Sequence, residues 1–362
     1  MVLINQDSIA YYDWLSNILA NNQSKIPAIS NDAHGRPRLA EIVAPVKDDI
    51  SAFEKQFKSL LKSDVFLVDK VVSYLISQRG KRIRPLMVLL VSRLTPDAPS
   101  HKRLNAAAIV ELMHTASLVH DDVVDGSYKR RGFPSLNAIW KNKISVLTGD
   151  YLFSKVLTAM TNIHDFAVFD IISSTAERMS QGELLQMERS KDFWMDEKVY
   201  FKLIGDKTAS LISAACSLGA IAAGMPRSEV EMMGGFGENI GLAFQIKDDL
   251  LDLMGIESKL GKPVGNDIRE NKITLPLLHA LKQAEKRDAK KIIRLVKSGE
   301  KAKKEDYKNI INFIKENDGV NYASQKADNL ISDSIEKLSH YEDSIYKDVL
   351  IKLVRFVTSR DY

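Results

Sequence analysis

Two Asp-Asp-x-x-Asp triads, Asp121-Asp122-Val123-Val124-Asp125 and Asp248-Asp249-Leu250-Leu251-Asp252, stand far apart in the chain, each in apolar sequence of helical period. At helical spacing Asp121 and Asp125 lie one turn apart on one face with Asp122 beside them, and Asp248 and Asp252 are related in the same way. Carboxylates crowded like this repel unless cations hold them, and burying one without a partner is costly. A solvated acidic helix end would explain either triad alone, but it does not explain the pair. The chain must therefore bring two helices face to face around a polar cleft. Hard divalent cations suit such a cleft: Mg2+ takes oxygen ligands and completes its shell with water and substrate phosphates. Two facing triads, each chelating Mg2+, would cradle a diphosphate.

The surroundings of the triads are helical almost without relief. From Pro45 onward apolar residues recur at spacings of three and four, as in Phe53, Phe57, Leu60 and Leu61, then Val68, Val71, Val72 and Leu75. No strand alternation is evident. The expected fold is all-α: a single-domain helical bundle over residues 44–362 around a deep central cavity, with residues 1–43 as a turn-rich N-terminal extension holding a short helix at 9–19. Helices are expected at 86–94, 144–163 and 166–186, the last bending at Gln181-Gly182-Glu183. Residues 188–197 read as a surface loop, Lys207-Thr208 as the start of an apolar helix, and Gly234-Gly235-Phe236-Gly237 as a break before the second triad helix. Residues 255–271 read as a loop containing Lys262 and Asp267, and 282–308 as a charged surface with Ile292, Ile293, Leu295 and Val296 turned inward.

Composition narrows the function. A net charge of +4 spread over 362 residues does not suggest a nucleic-acid binder, and basic residues beside acidic motifs suit a small anionic substrate. The single cysteine, Cys216, excludes an intrachain disulfide and a cysteine-based metal cluster, and its apolar setting reads as a buried thiol. No secretory pattern opens the sequence, and the weakly polar stretch 211–225 is too short to span a bilayer. A soluble, cytoplasmic protein is expected.

Three basic groupings complement the triads. Gly80-Lys81-Arg82-Ile83-Arg84-Pro85 is a glycine turn with cations at a helix start, which can hold an anion with main-chain amides and side chains together. Arg130-Arg131 follow the first triad in a loop, where adjacent guanidinium groups point apart and can serve two anions. His114 lies two turns before Asp121 on nearly the same face, whereas His120 reads as structural.

These motifs, with Lys207-Thr208, Phe244-Gln245, Gly261-Lys262 and Lys272-Ile273-Thr274-Leu275-Pro276, resemble a trans-isoprenyl diphosphate synthase, more closely a long-chain polyprenyl diphosphate synthase of the octaprenyl or solanesyl kind. The resemblance runs in order from residue 44 to the C-terminus; Arg79 departs from it, standing where the family usually has a second glycine. It implies the isoprenoid synthase bundle and condensation of isopentenyl diphosphate with an allylic diphosphate. It implies Mg2+ on Asp121, Asp125 and Asp248, with Asp122, Asp249 and Asp252 assisting. Arg130, Lys207 and Lys262 would serve the allylic diphosphate, and Lys81, Arg84, His114 and Arg131 the isopentenyl diphosphate. Thr208 and Gln245 would turn oxygen dipoles toward the allylic cation. Ala116 and Ser117, five and four positions before Asp121, are small where short-chain relatives carry aromatic rings. The shaft would then stay open past them toward Leu152, Val156 and Met160, giving a long product for a quinone tail and transient membrane contact on its release. A homodimer is implied too, with apolar faces at 106–113 and 139–159 available for it. Competing readings are a shorter-chain farnesyl or geranylgeranyl synthase, a class I terpene cyclase, which would lack the isopentenyl diphosphate pocket, and a non-catalytic partner subunit, which would have lost a triad.

Overall fold

A computed structural model of the chain describes residues 39–78, 80–95, 100–130, 132–189, 192–254 and 266–358. Helices α1 (Leu39–Val43), α2 (Lys47–Leu60), α3 (Phe66–Ser77), α4 (Ile83–Ser92) and α5 (Ser100–Val124) lead to the first triad. A two-residue antiparallel ladder, β1 (Lys129–Arg130) with β2 (Phe133–Pro134), then precedes α6 (Leu136–Thr161) and α7 (Phe166–Arg189). Next come α8 (Glu197–Ile204), a π-helical turn (Gly205–Ala209), α9 (Ser210–Ala222) and α10 (Arg227–Met254), which carries the second triad. The chain closes with α11 (Asn266–Arg269), α12 (Leu275–Gln283), α13 (Lys286–Lys297), α14 (Lys304–Glu316), α15 (Gly319–Lys337) and α16 (Ile345–Thr358). The fold is all-α, as expected, apart from the small ladder among the described residues.

Apolar residues all round a helix require burial on every side. Helix α4 is such a helix, buried from 85 to 92 and packed by α2, α5, α9 and α16. Helix α9 is buried along nearly its whole length, so the weakly polar stretch at 211–225 is core and Cys216 is enclosed within it. One large apolar cluster joins α1 through α7, α9, the first half of α10 and α16. A second joins α8, the later half of α10 and α12 to α15, so α10 is common to both. The packed body begins before residue 44, because Ile42 of α1 is wholly buried in the first cluster.

The glycines at 234–237 do not interrupt the chain. They lie inside α10 and let α9 approach: a Cβ at Gly237 would sit 2.5 Å from the Ile212 carbonyl oxygen. The segment 106–113 offers no free face for a dimer, since α5 is enclosed there by α4, α6 and α9. Helix α6 differs: Leu147 and Leu157 on its outer side are more than half exposed, at 58% and 51%, with Val146 and Phe153 nearby. It starts earlier than expected and kinks at Lys141, whose φ is 67°. In α13, Ile292, Ile293 and Val296 are buried and Leu295 partly so, as the pattern predicted. Among the described residues no helix is long and apolar enough to cross a membrane. The expected helix at 9–19 lies outside the described residues.

Candidate active site

The first triad closes α5. Asp122 is buried, and both its carboxylate oxygens accept from Arg130 Nε at 2.9 Å, with a further Arg130 contact at 2.8 Å. Its backbone carbonyl accepts from Asn137 of α6 at 3.0 Å, so the end of α5 is tied to β1 and α6 together. The loop holding Arg130 is fixed in turn by Tyr74 of α3, whose hydroxyl donates to the Pro134 carbonyl at 2.7 Å. Asp125, just past the helix, is exposed, while Asp121 is half-buried. Burial, and then the nearby Glu183 carboxylate, push the Asp121 carboxyl up to about 6, although Lys207 and Arg130 pull the other way.

Lys207 faces that triad from the π-helical turn. Its ammonium pairs with Glu183 at 2.7 Å and donates to Gln186 at 3.0 Å, both on α7. Helix α7 runs uninterrupted through Gly182, where a bend was expected, and a Cβ there would lie 2.8 Å from the Lys207 backbone nitrogen. Lys207 and Thr208 therefore do not start a helix but sit in the turn joining α8 to α9. Such wide turns recur at functional sites because they push side chains out of helical register. Arg178 and Lys202 hold Asp206 of the turn at 2.8 and 2.6 Å, and Arg178 also binds Glu238 of α10 at 2.6 Å. Burial would raise the Asp206 pKa, but these two cations outweigh it and keep the carboxylate ionised.

The second triad is arranged differently. Asp249 is buried in α10; Tyr200 of α8 donates to its Oδ2 at 2.7 Å, and Gln245 donates to its Oδ1 at 2.9 Å. Thr208 donates to the Gln245 carbonyl oxygen at 3.1 Å. Burial and then Asp267 push the Asp249 carboxyl up to about 8, and burial and then Asp252 push Asp267 up to about 6. Asp252 accepts from the Asp267 backbone at 2.9 Å, which seats α11 on the triad. Lys272 pairs with Glu270 at 2.7 Å and feels both Asp267 and Asp125, so its ammonium links the first triad to the acid seated beside the second. A cavity of about 450 Å³ opens here, lined by Lys207, Thr208, Gln245, Asp249, Asp267 and Lys272, with Met195, Leu203 and Ile273 on its apolar side.

A narrower pocket lies across α5, between Arg82, Glu111, His114, Asp122 and Arg130. Arg82, with φ of 52°, pairs with Glu54 at 3.1 Å and with Glu111. Arg84 meets His114 Nε2 at 2.9 Å, so two residues expected to share an anion are adjacent. Lys81 is exposed above the Phe356 ring at 5.2 Å. Ala116 is buried in the core and Ser117 half-buried, its hydroxyl on the His114 carbonyl at 2.9 Å, while Leu152, Val156 and Met160 are buried on α6. His120 contacts the Val146 carbonyl at 3.2 Å. Arg131 and Lys262 lie outside the described residues.

Among the described residues no three His, Cys, Asp or Glu side chains form a ready-made metal cage. The donor set nevertheless suits a hard divalent cation, which needs only one or two carboxylates besides water and phosphate oxygens. Buried acids with pKa values forced upward form a cluster short of positive charge, as a cation site requires. The sequence motifs assign no role to Glu183, Gln186, Tyr200, Asp267 or Lys272. The three-residue spacing of Glu183 and Gln186 after Gly182 was the available signal for the first two.

Residues 66–314 match the family model described as polyprenyl synthetase. A heptaprenyl diphosphate synthase component 2 from Geobacillus stearothermophilus is 37% identical over 244 residues, 67% of this chain and 76% of the relative. The octaprenyl diphosphate synthase of Escherichia coli (strain K12) is 32% identical over 323 residues, 89% of this chain and 99% of the relative. The crystal structure of a polyprenyl synthase from Caulobacter crescentus CB15, complexed with calcium and isoprenyl diphosphate, superposes with a TM-score of 0.80 at 33% identity, covering 90% of this chain and 99% of that one.

Proposed function

Because the chain belongs to the polyprenyl synthetase family, and so is a prenyl-transferring enzyme, we propose that it condenses isopentenyl diphosphate with an allylic diphosphate, Mg2+-dependently, to build a long all-trans polyprenyl diphosphate. The observation that carries this reading is that Lys207 and Lys272, which line the cavity with Asp249, also interact electrostatically with Asp121 and Asp125 of the first triad. Asp121, Asp125 and Asp248 are the residues that would hold Mg2+, since Asp122 and Asp249 already have both oxygens engaged by protein donors. Bound there, the metal would neutralise the diphosphate and ease its departure.

The protein's own groups divide the remaining work. Arg130, Lys207 and Lys272, joined by Lys262 as the family resemblance implies, would supply positive charge to the leaving diphosphate where negative charge develops. As the allylic C–O bond breaks, the Thr208 and Gln245 oxygens face the cation. The isopentenyl double bond then attacks it, and the resulting cation loses a proton to the released diphosphate. Lys81, Arg84, His114 and Arg131 orient isopentenyl diphosphate for that attack. The apolar walls keep out water that would quench the cation. Ala116 and Ser117 leave room for the tail to descend toward Leu152, Val156 and Met160, which suits a product of quinone-tail length.

The same reading makes the enzyme cytoplasmic, with transient membrane contact at product release, and homodimeric through the exposed outer face of α6. Light scattering tests the dimer; a 40.6 kDa species alone would reject it. The activity is tested by incubating the purified chain with Mg2+, isopentenyl diphosphate and an allylic primer. Incorporation into a lipid-soluble product is expected, and none in the presence of a chelator; activity surviving chelation would overturn the metal assignment.

A further inference from the structure

Tyr200 is 2% exposed, seated in the second apolar cluster beside Phe201, yet its hydroxyl reaches the second triad. The bonds around it run in a fixed order. Tyr200 donates to Asp249 Oδ2 at 2.7 Å, Gln245 Nε2 donates to Asp249 Oδ1 at 2.9 Å, and Thr208 donates to Gln245 Oε1 at 3.1 Å. A glutamine amide has two nearly isosteric orientations, and only its partners choose between them. An acceptor at Asp249 Oδ1 selects the one with Nε2 turned inward, which leaves Oε1 toward Thr208 and the cavity. The selection holds only while the Asp249 carboxylate is itself held, and Tyr200 is the donor that anchors its other oxygen. A buried oxygen deprived of that donor would turn to compete for the Gln245 amide or rotate away from it.

We propose that Tyr200 is a positioning residue for prenyl transfer: through Asp249 it fixes the Gln245 amide so that its carbonyl oxygen faces the developing allylic cation. The inference rests on the prenyl-transfer reading above and adds to it a residue that borders the cavity and acts through Asp249. It separates the two members of the second Asp pair, with Asp248 directed to the metal and Asp249 to the orientation of a neighbouring dipole.

Tyr200→Phe keeps the ring and deletes only the hydroxyl. Its kcat should fall about tenfold or more, in keeping with the loss of one oriented dipole at a charge-bearing step. KM for both substrates should stay within about twofold. Calorimetric binding of Mg2+ with an unreactive allylic thiolodiphosphate should be unchanged. In a Gln245→Leu background the same substitution should cost nothing further, because its effect passes through Gln245. Asp249→Asn, which can turn an N–H toward Gln245, should reproduce the kcat loss and covers the case in which Tyr200→Phe folds poorly. Undiminished kcat in Tyr200→Phe, equal losses with and without Gln245, or weakened binding of Mg2+ and the analogue would each overturn the proposal. A wild-type enzyme that forms no prenyl product would instead refute the underlying reading, before any variant is compared.

Discussion

Replacing Arg130 by Gln separates what holds the first triad together from what it does. Asp122 has a side chain only 7% exposed, and Arg130, at 31%, engages both of its carboxylate oxygens. Breaking a buried pair by deleting one partner costs about 3–5 kcal/mol, because the surviving charge is stranded. Water can reach part of the guanidinium, so about 2–3 kcal/mol is the appropriate expectation here. For a chain of this size that lowers Tm by about 3–4 °C. Adding Asp122→Asn removes the stranded charge, so the double variant should regain most of the lost stability without regaining turnover. Arg130 also helps to keep Asp121 ionised against burial and Glu183, so its loss should move the acid limb of the Mg2+-dependent rate to higher pH. Circular dichroism melts on the four proteins of the cycle, with pH–rate profiles for wild type and Arg130→Gln, provide the test. A Tm within about 1 °C of wild type for Arg130→Gln, or a double variant no more stable than the single one, would refute the reasoning.

Asp121→Ala, Asp125→Ala and Asp248→Ala should each abolish most turnover while leaving the circular dichroism spectrum intact, and full activity in all three would rule out the metal assignment. The metal-free protein should respond to pH in a definite direction. Asp121, Asp249 and Asp267 have folded-state pKa values raised to about 6, 8 and 6, so the native state keeps protons that the unfolded chain has released. Its stability should therefore fall as pH rises from about 4 through 8, with saturating Mg2+ flattening the curve; a metal-free Tm that climbs over this window would contradict the charge accounting. Gly237→Val should destabilise by about 2–3 kcal/mol in urea titration, since its Cβ would meet the Ile212 carbonyl at 2.5 Å and Cys216 Sγ at 2.9 Å, and a neutral result would mean that α9 and α10 can separate cheaply.

The triads were legible because their spacing and apolar filling are local properties: the first closes one helix and the second lies near the end of another, with Lys207 and Lys272 of the cavity coupled to the first triad. Arg130 reads in the sequence as a diphosphate ligand, and its pairing with Asp122 emerges only when the loop after α5 folds back on the helix end. What the sequence concealed depended on neighbours remote in the chain. Gly234 and Gly237 look like helix breakers until α9 is packed against them, when they become points of close approach. The small, apolar run at 106–113 looks like an interface until α4, α6 and α9 enclose it. Lys207 looks like the first residue of a helix, and the π-helical turn that holds it, with Asp206 paired to Arg178 and Lys202 and Arg178 to Glu238, emerges only from tertiary contacts. Tyr200 carries no local signal, since a tyrosine on an amphipathic helix is ordinary until its hydroxyl is found on Asp249. Asp122 and Asp249, each the second aspartate of its triad, are equivalent in the sequence pattern but differ in partner, one held by a cation and the other by a phenol and an amide.

The central claim is chain elongation by an enzyme whose shaft is open past Ala116 and Ser117. Chromatography of the products from wild type and from Ala116→Phe with Ser117→Phe, each given Mg2+, isopentenyl diphosphate and an allylic primer shorter than farnesyl diphosphate, tests it most directly. The account predicts a long polyprenyl diphosphate from wild type and farnesyl or geranylgeranyl length from the double variant, with the first condensations intact. A wild-type product that stops at farnesyl diphosphate, or a profile unchanged by the two rings, would contradict it.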